Sequence, residues 1–278
     1  MNQGRFVGPG HMDRLDVDKI QARLTTSRVG RSLWVYESTA STNDLAWQFP
    51  HKTDHDGLCI LSEHQTAGRG RGSNRWLSRP GEGLLASILR VDCRYPVELA
   101  TVATAIAAAD AIAAVTDLYP RIKWPNDILL NGRKVCGILI EARTRGKHRD
   151  IVIGIGVNCH QAESFFTEEG LDIPATSLDR ESGGTVDRNR LAACLLNSLE
   201  SQMDLAVREG AAVVERWKQY SNQLGLHLTL IFRQKSYSGT CIGIDPAHGL
   251  ILQLDGGGVR SFDAAHTALV RQIESGSV

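Results

Sequence analysis

The pattern of apolar residues changes near Gly225, and no other feature of the chain constrains its fold as much. After this point come four short alternating runs divided by turn residues, at 226–232, 236–244, 249–254 and 259–262. Strands this short and this closely spaced are typical of a small β-barrel. We therefore expect an N-terminal extension over residues 1–30, a larger domain over 31–224 and a small β domain over 225–272.

Upstream of Gly225, apolar runs of strand length alternate with helical patterns, which predicts a mixed α+β domain. Asn131-Gly132 joins two apolar runs, 127–130 and 134–142, and favours a tight hairpin because both residues tolerate positive φ. Lys134 therefore lies at the base of a hairpin, which is a rigid support for a functional group. The other predicted strands are 32–37, 58–62, 84–91, 122–124 and 150–158, and the predicted helices are 16–25, one capped by Ser41 or Thr42 and running through Trp47, 96–118, one capped by Asp187 over 191–209, and 211–221.

Charge and cysteine usage exclude several classes of protein. The 31 basic residues balance the 31 acidic ones, so the chain lacks the electrostatic footprint of a general nucleic-acid binder. The six cysteines form none of the close pairs that zinc sites use, which indicates a reduced, cytoplasmic chain. Threonines and Asp110 interrupt the Ala-rich run 98–117, so no apolar stretch reaches the ~20 residues needed to span a bilayer. We expect no membrane partner.

Two segments carry the residue types that a nucleotide-activating enzyme needs. Residues 65–72 form a glycine-rich stretch with two arginines, and residues 123–127 read Lys-Trp-Pro-Asn-Asp. Glycines let backbone approach a phosphate closely, guanidinium groups fork onto its oxygens, and a carboxylate can hold Mg²⁺. The loop is neither a P-loop nor a dinucleotide-binding loop, because no Gly-Lys-Ser/Thr follows and the glycine spacing differs. These segments favour an enzyme.

Each of these features also has a purely structural interpretation. The glycine-rich stretch could be a solvated hairpin loop, and residues 123–127 could be a strand end with a core tryptophan and a proline turn. Lys134 could be a solvated cation, and the Ser41-Thr42-Asn43 segment could serve only to cap a helix. Cys159-His160 is predicted to be structural, because adjacent strand residues point to opposite faces. Residues alone leave these alternatives open.

Five segments, in order between about Ser38 and Arg271, closely resemble those of the biotin protein ligases. They are 41–43, 65–72, 123–127, 133–141 and 154–158. The resemblance implies an α+β catalytic domain of the class II synthetase kind, followed by a C-terminal SH3-like β-barrel. It also implies activation of biotin with ATP and Mg²⁺ to biotinyl-5′-AMP, then transfer to a lysine of a biotin carboxyl carrier protein, an acetyl-CoA carboxylase subunit.

The same resemblance implies roles for individual residues. Catalytic roles fall to Lys134, Arg69 and Arg71, and a Mg²⁺-binding role falls to Asp127. The biotin-binding residues would be Ser41, Thr42, Asn43, Gln65, Gly70, Lys134 and Gly137, with Gln65 on the ureido ring. The ATP-binding residues would be Arg69, Arg71, Trp76, Lys123, Asn126 and Asn158, with Trp76 and Asn158 on adenine. The loop departs from the family pattern Gly-Arg-x-Trp, because Ser73-Asn74-Arg75 precedes Trp76.

Two other functions share parts of this pattern. A lipoate or octanoate ligase or transferase has the same fold class, although the loop and the 123–127 segment match the biotin branch. A biotin-dependent repressor would need a helix-turn-helix domain, for which the residues before Ser41 are too few. We therefore expect no nucleic-acid partner. A monomer and a homodimer are both compatible with the sequence.

Overall fold

The computed structural model describes residues 13–49, 52–168, 174–245 and 247–273. Residues 1–12 of the predicted N-terminal extension lie outside these ranges. The α-helices are α1 Val17–Gln21, α2 Thr42–Ala46, α3 Val97–Thr116, α4 Glu163–Glu168, α5 Leu178–Ser182, α6 Arg188–Arg208 and α7 Gly210–Tyr220. The strands are β1 Leu33–Tyr36, β2 Cys59–Ser62, β3 Gly83–Arg90, β4 Arg121–Lys123, β5 Asp127–Leu130, β6 Arg133–Arg145, β7 His148–Asn158, β8 His227–Phe232, β9 Lys235–Asp245, β10 Gly249–Leu254, β11 Val259–Phe262 and β12 Thr267–Ile273.

The first seven strands form one sheet in the order β1-β2-β3-β7-β6-β5-β4. Only β1 and β2 run parallel, and the remaining neighbours are antiparallel. The turn between β5 and β6 has φ of 49° at Asn131 and 75° at Gly132, which confirms the predicted hairpin. This hairpin carries Lys134 on β6, directly beside Asp127 at the start of β5.

The long helices cover this sheet and enclose the core. Helix α3 packs against α6 and α7, and its many alanines allow a close approach of the neighbouring backbone. By length and composition α3 could cross a membrane, since its most apolar window has a mean hydropathy of 1.8. This corrects the expectation that no segment is long and apolar enough. However, 67% of that window is buried inside the protein, as expected of a core helix.

The C-terminal strands form an antiparallel sheet in the order β11-β10-β9-β8-β12. Strand β12 was not predicted, whereas the four other strands lie where the alternating runs placed them. Strands β11 and β12 form the edges, so the hydrogen-bonded order is that of an open sheet, and closure into a barrel stays a prediction. Buried residues of this sheet, including Leu228 and Leu250, join the same apolar core as the larger sheet.

The first helix is shorter than predicted for a reason that lies far away in the sequence. Asp16 caps α1 by accepting from Lys19 N, but the helix ends at Gln21 rather than near Thr25. The backbone N–H groups of Ser27, Arg28 and Val29 donate to the carboxylate of Glu200 on α6 at 2.6–2.9 Å. This side-chain anchor holds the chain after α1 in a non-helical conformation.

Candidate active site

A cavity of about 710 Å³ lies between the large sheet, the glycine-rich loop and the C-terminal sheet. It brings together nearly every residue that the sequence proposed for the site. Those lining it are Ser41, Thr42, Asn43, Gln65, Arg69, Gly70, Arg71, Trp76, Lys123, Asn126, Asp127, Lys134 and Gly137. Segments separated by almost a hundred residues in the sequence therefore converge on one site.

Lys134 and Asp127 form an ion pair on one wall of the cavity. Their Nζ and Oδ1 atoms are 2.6 Å apart, and the two side chains are 23% and 13% exposed. Backbone bonds fix the lysine, since Lys134 N donates to Pro174 O and Thr176 N donates to Lys134 O. Lys134 is thus a partly buried, paired cation, which excludes the interpretation as a freely solvated one.

The segment 123–127 is held equally firmly against β6. Asn126 Nδ2 donates to Ile138 O at 2.9 Å, and Ile138 N donates to Asn126 O at 2.9 Å. Trp124 is buried, and its backbone N donates to Gln223 Oε1 at 2.7 Å. Lys123 and Asn126 therefore reach the cavity from a turn whose backbone is fixed on two sides.

The glycine-rich loop folds back on itself as a small hairpin. Gly70 N donates to Asn74 O at 2.8 Å, and Trp76 N donates to Gly68 O at 3.0 Å. The Trp76 indole lies across the sheet on Gly156 and Gly137, where an added Cβ would come within 2.4 Å and 2.8 Å of the ring. Only glycine leaves room for the indole at these two positions.

Loop Arg69 is held by carboxylates in this structure. Its guanidinium lies 2.7 Å from Asp44 Oδ1 and 3.0 Å from the carboxylate oxygens of Glu141. Arg71 instead reaches the C-terminal sheet, where its Nη2 donates to Thr267 O at 3.3 Å. Burial lowers the pKa of Arg71, and the charges of Asp127 and Asp263 partly offset this effect. Both arginines are therefore anchored, although by different parts of the molecule.

The start of α2 and Gln65 form a connected polar group at one end of the cavity. Gln65 Oε1 accepts from Thr42 N at 2.7 Å and from Thr42 Oγ1 at 3.0 Å. Ser87 on β3, which the sequence did not single out, donates from its hydroxyl toward Asn43 Oδ1 at 2.5 Å. Ser41 is the N-cap residue of α2, but its side chain makes no capping bond. The role of Ser41 as a side-chain cap is therefore not supported.

Asn158 is the one predicted site residue that the structure does not bring to the cavity. It is buried at the end of β7, and its Nδ2 donates to Thr176 O at 3.0 Å. Cys159 and His160 also lie outside the cavity. Burial raises the pKa of Cys159 to about 12, and His160 Nδ1 lies 2.7 Å from Asp179 rather than facing the thiol. They form no nucleophilic dyad.

Several cavity residues were missed by sequence reasoning. Thr267, Ala268 and Leu269 of β12 and Ala265 just before it form part of the wall, and no local signal marks them. Gly154 and Gly156 lie in the 154–158 segment that carries the resemblance, but no role was assigned to them, although glycines two residues apart on a strand leave one face open for other groups. Asn43 rests on Gly154, where an added Cβ would lie 2.5 Å from Asn43 Oδ1.

The cavity offers little to a metal ion on its own. Within the described ranges, no group of three or more His, Cys, Asp or Glu side chains could hold one. Asp127 is a single carboxylate beside a lysine. This is compatible with Mg²⁺ that arrives on a nucleotide, because such Mg²⁺ keeps several waters and is bound through one or two carboxylates plus phosphates.

Comparisons with known proteins agree with this geometry. Residues 35–158 match the biotin/lipoate A/B protein ligase family. The bifunctional ligase/repressor BirA of Bacillus spizizenii is 32% identical over 250 residues, covering 88% of this chain and 76% of that protein. The chain belongs to the biotin protein ligase family. The biotin–[acetyl-CoA-carboxylase] ligase of Mycobacterium tuberculosis is 35% identical over 197 residues, covering 68% of this chain and 71% of that protein.

The fold likeness extends through both sheets. The Aquifex aeolicus biotin protein ligase in complex with biotin and ATP superposes with a TM-score of 0.73 at 20% identity, covering 87% of this chain and 99% of that one. This confirms the predicted α+β fold of a biotin protein ligase. Membership of the biotin protein ligases also favours a functional role for the 65–72 and 123–127 segments over the purely structural interpretations.

Proposed function

We propose that this protein activates biotin with ATP to biotinyl-5′-AMP and then transfers biotin to a lysine of a biotin carboxyl carrier protein. One observation carries the proposal. A single cavity joins a polar group suited to a ureido ring with a paired lysine and two arginines suited to phosphates. An acyl adenylate needs both kinds of contact at adjacent positions.

Biotin binds at the α2 end of the cavity in this proposal. The ureido ring accepts and donates hydrogen bonds, which matches Gln65, Thr42, Ser41 and Asn43. Gly137 leaves β6 without a side chain, and the Trp76 indole fills this space in the present structure. The apolar ring and tail of biotin would take the place of the indole against the backbone when Trp76 moves onto adenine. The biotin carboxylate then points toward Lys134. Gly70 has no side chain, so the backbone of the loop can approach the ligand closely.

In the first reaction, a biotin carboxylate oxygen attacks the α-phosphorus of ATP. A new P–O bond forms, the bond to the β-phosphate oxygen breaks, and pyrophosphate leaves. Negative charge builds on the α-phosphate oxygens, and Lys134, Arg69 and Arg71 stabilise it as fixed cations. Lys123 and Asn126 bind the nucleotide beside them, and Trp76 stacks on adenine. No protein nucleophile is required.

Asp127 is the residue that would hold Mg²⁺, which when bound with ATP neutralises phosphate charge. Its own contribution is to place Lys134, because the ion pair fixes the ammonium group at the cavity wall. In the second reaction, a carrier lysine amine attacks the mixed-anhydride carbonyl and AMP leaves. A closed glycine-rich loop would keep water from hydrolysing the anhydride before this step.

Pyrophosphate release tests the proposal directly. The purified protein is mixed with ATP and Mg²⁺ and, in parallel reactions, with biotin, lipoate or octanoate. We expect release only with biotin, followed by labelling of a biotin carboxyl carrier domain at its lysine. Preferential release with lipoate or octanoate would instead assign the chain to the lipoate side of the family.

We do not extend to this chain the repressor activity named in the BirA relatives. The net charge is zero, so the chain as a whole offers no broad electrostatic attraction to DNA. A gel-shift assay with DNA from upstream of biotin-synthesis genes, with and without biotin and ATP, should show no sequence-selective complex. We place the enzyme in the cytoplasm, in line with six cysteines that are all unpaired.

A further inference from the structure

We infer that Glu141 is a positioning residue that joins the biotin end of the cavity to the glycine-rich loop. The inference rests on the proposed function and goes beyond it, because Glu141 has no role in the mechanism above. The side chain lies on β6 and is 26% exposed. Side chains alternate along a strand, so Glu141 shares a face with Gly137 and Leu139, both of which line the cavity.

One Glu141 oxygen serves two different elements. Oε2 accepts from Asn43 Nδ2 on α2 at 2.9 Å and from Trp47 Nε1 at 3.3 Å. The same oxygen accepts from Arg69 Nη2 at 3.0 Å, while Oε1 lies 3.0 Å from Arg69 Nη1. Both carboxylate oxygens therefore accept from the Arg69 guanidinium, and one of them also accepts from the Asn43 amide. Forked pairs of this kind are stronger and more directional than single hydrogen bonds.

The contact with Asn43 sets the orientation of its amide. Asn43 Oδ1 receives the Ser87 hydroxyl at 2.5 Å, and Nδ2 donates to Glu141. With an acceptor on one side and a donor on the other, only one amide orientation satisfies both partners. Without Glu141, Nδ2 would lose its acceptor and the amide could turn. The hydrogen-bonding pattern presented to biotin thus depends on Glu141.

The contact with Arg69 sets the position of the loop. A second cavity of about 670 Å³ is lined by Asp44, Arg69 and Glu141 together with other residues of the loop. The loop therefore borders both cavities, and the carboxylates hold it at Arg69. Asp44 shares only this task, because its carboxylate pairs with Arg69 and the Asn43 amide donates to Glu141 instead. A variant of Asp44 therefore disturbs Arg69 without removing the acceptor of the Asn43 amide, and it serves as the control for the Asn43 contact.

Three single variants separate the two contacts. Glu141→Ala removes both, whereas Glu141→Gln keeps an oxygen for Asn43 and replaces one half of the fork to Arg69 by an amide. Asp44→Asn weakens only the hold on Arg69. Biotin affinity is measured by titration calorimetry, and single-turnover pyrophosphate release gives the adenylation rate.

We expect Glu141→Ala to weaken biotin binding by about tenfold and to slow adenylation by about tenfold or more, since bonds to charged groups are lost. Glu141→Gln and Asp44→Asn should bind biotin within about threefold of the wild type while slowing adenylation. A double-mutant cycle of Asn43→Ala with Glu141→Ala should be non-additive for biotin affinity. A residue that only stabilises the fold would not separate affinity from rate in this manner.

Thermal unfolding of each variant identifies simple loss of folding, and Glu141→Gln keeps the test informative if Glu141→Ala unfolds. Equal biotin affinity in wild type and Glu141→Ala, or full additivity with Asn43→Ala, would overturn the inference. Failure of the proposed function can be distinguished from failure of this inference, because in that case the wild-type protein itself releases no pyrophosphate with biotin.

Discussion

The two cationic walls of the cavity are built in contrasting ways. Lys134 is mounted on a strand whose backbone is bonded to the 174–176 segment, and its ion pair with Asp127 lies on the same hairpin. Arg69 lies on a loop with few backbone bonds, and side-chain carboxylates from two other elements hold it. The strand wall is preorganised by backbone bonds, whereas the loop wall depends on side-chain contacts with Asp44 and Glu141.

This contrast suggests a division of labour. A preorganised charge stabilises a transition state without reorganisation, which suits the step at the α-phosphate. A loop held by side-chain contacts can open to admit substrates and then close over them. The following predictions test whether the two walls differ in this way, beginning with the largest expected effect.

Replacing Lys134, the cation of the strand wall, should strongly slow the first reaction. We expect Lys134→Ala to lower the adenylation rate roughly 100- to 1,000-fold while biotin affinity stays within about threefold. Pyrophosphate release and titration calorimetry measure the two quantities separately. Because Lys134→Ala leaves Asp127 buried without its partner, Lys134→Gln serves as a second variant that keeps a hydrogen-bond donor.

Lys147→Ala is the matched control, because Lys147 is an exposed lysine in the turn after the far end of β6. It should adenylate biotin at the wild-type rate. Normal adenylation by both Lys134 variants would remove this lysine from the mechanism and leave the strand wall without its proposed role.

Asp127→Asn should produce a smaller effect that depends on metal concentration. The amide keeps the shape of the side chain but lacks the charge that a hard cation needs. We expect the Mg²⁺ concentration for half-maximal adenylation to rise roughly 10- to 100-fold, with biotin affinity little changed. A Mg²⁺ titration that superposes on that of the wild type would show that Asp127 serves only to hold Lys134.

The loop wall can be probed by proteolysis, since trypsin cleaves after arginine and Arg69 and Arg75 are both exposed. We predict that residues 66–76 are mobile in the free protein, because three glycines must be ordered with little apolar contact to compensate. Cleavage should be fast without ligand, partly slowed by biotin and strongly slowed by biotin with ATP. Fragments are mapped by mass spectrometry. Equal cleavage in all three conditions would mean that the loop does not close over the adenylate.

The strand wall was more predictable from sequence than the loop wall. The Asn131-Gly132 turn fixes the hairpin locally, so the position of Lys134 at its base could be predicted from the chain alone. Its ion pair with Asp127 could not, because the register pairs Lys134 with Leu129 and a bulge sets Asp127 opposite Gly137. The carboxylate partners of Arg69 could not be predicted from the sequence, although the period-two alternation on β6 places Glu141 on the cavity face. Asn158 was expected to contact adenine, but it does not line the cavity. The 174–176 segment crosses the end of β7, and Thr176 O accepts from the Asn158 amide. Thr267 reaches Arg71 only through the placement of the C-terminal sheet, which no local pattern encodes.

The smallest expected effect concerns the stability of the sheet that supports the strand wall. His160 follows β7 and lies between Asp179 and Asp13, with Arg188 beside Asp13. Burial disfavours the imidazolium, but hydrogen bonds to Asp13 and Asp179 outweigh this and raise the pKa of His160 to about 9. A raised pKa contributes stability that is fully present below the unfolded value and is lost as pH rises through the folded value.

We therefore expect the free energy of unfolding to fall by about 3 kcal/mol between pH 6.5 and 9.5 on account of His160. In His160→Gln this component should be missing, so the two unfolding curves converge as the pH rises. Urea denaturation of the wild type and of His160→Gln at several pH values measures the two free energies of unfolding. The trypsin protection of the loop should change little between pH 7 and 8.5, because Asp13 and Asp179, which bind the imidazole, do not line the cavity that the loop borders. Parallel stability curves for the two proteins would show that the imidazolium is not what holds Asp13 and Asp179 at the end of β7.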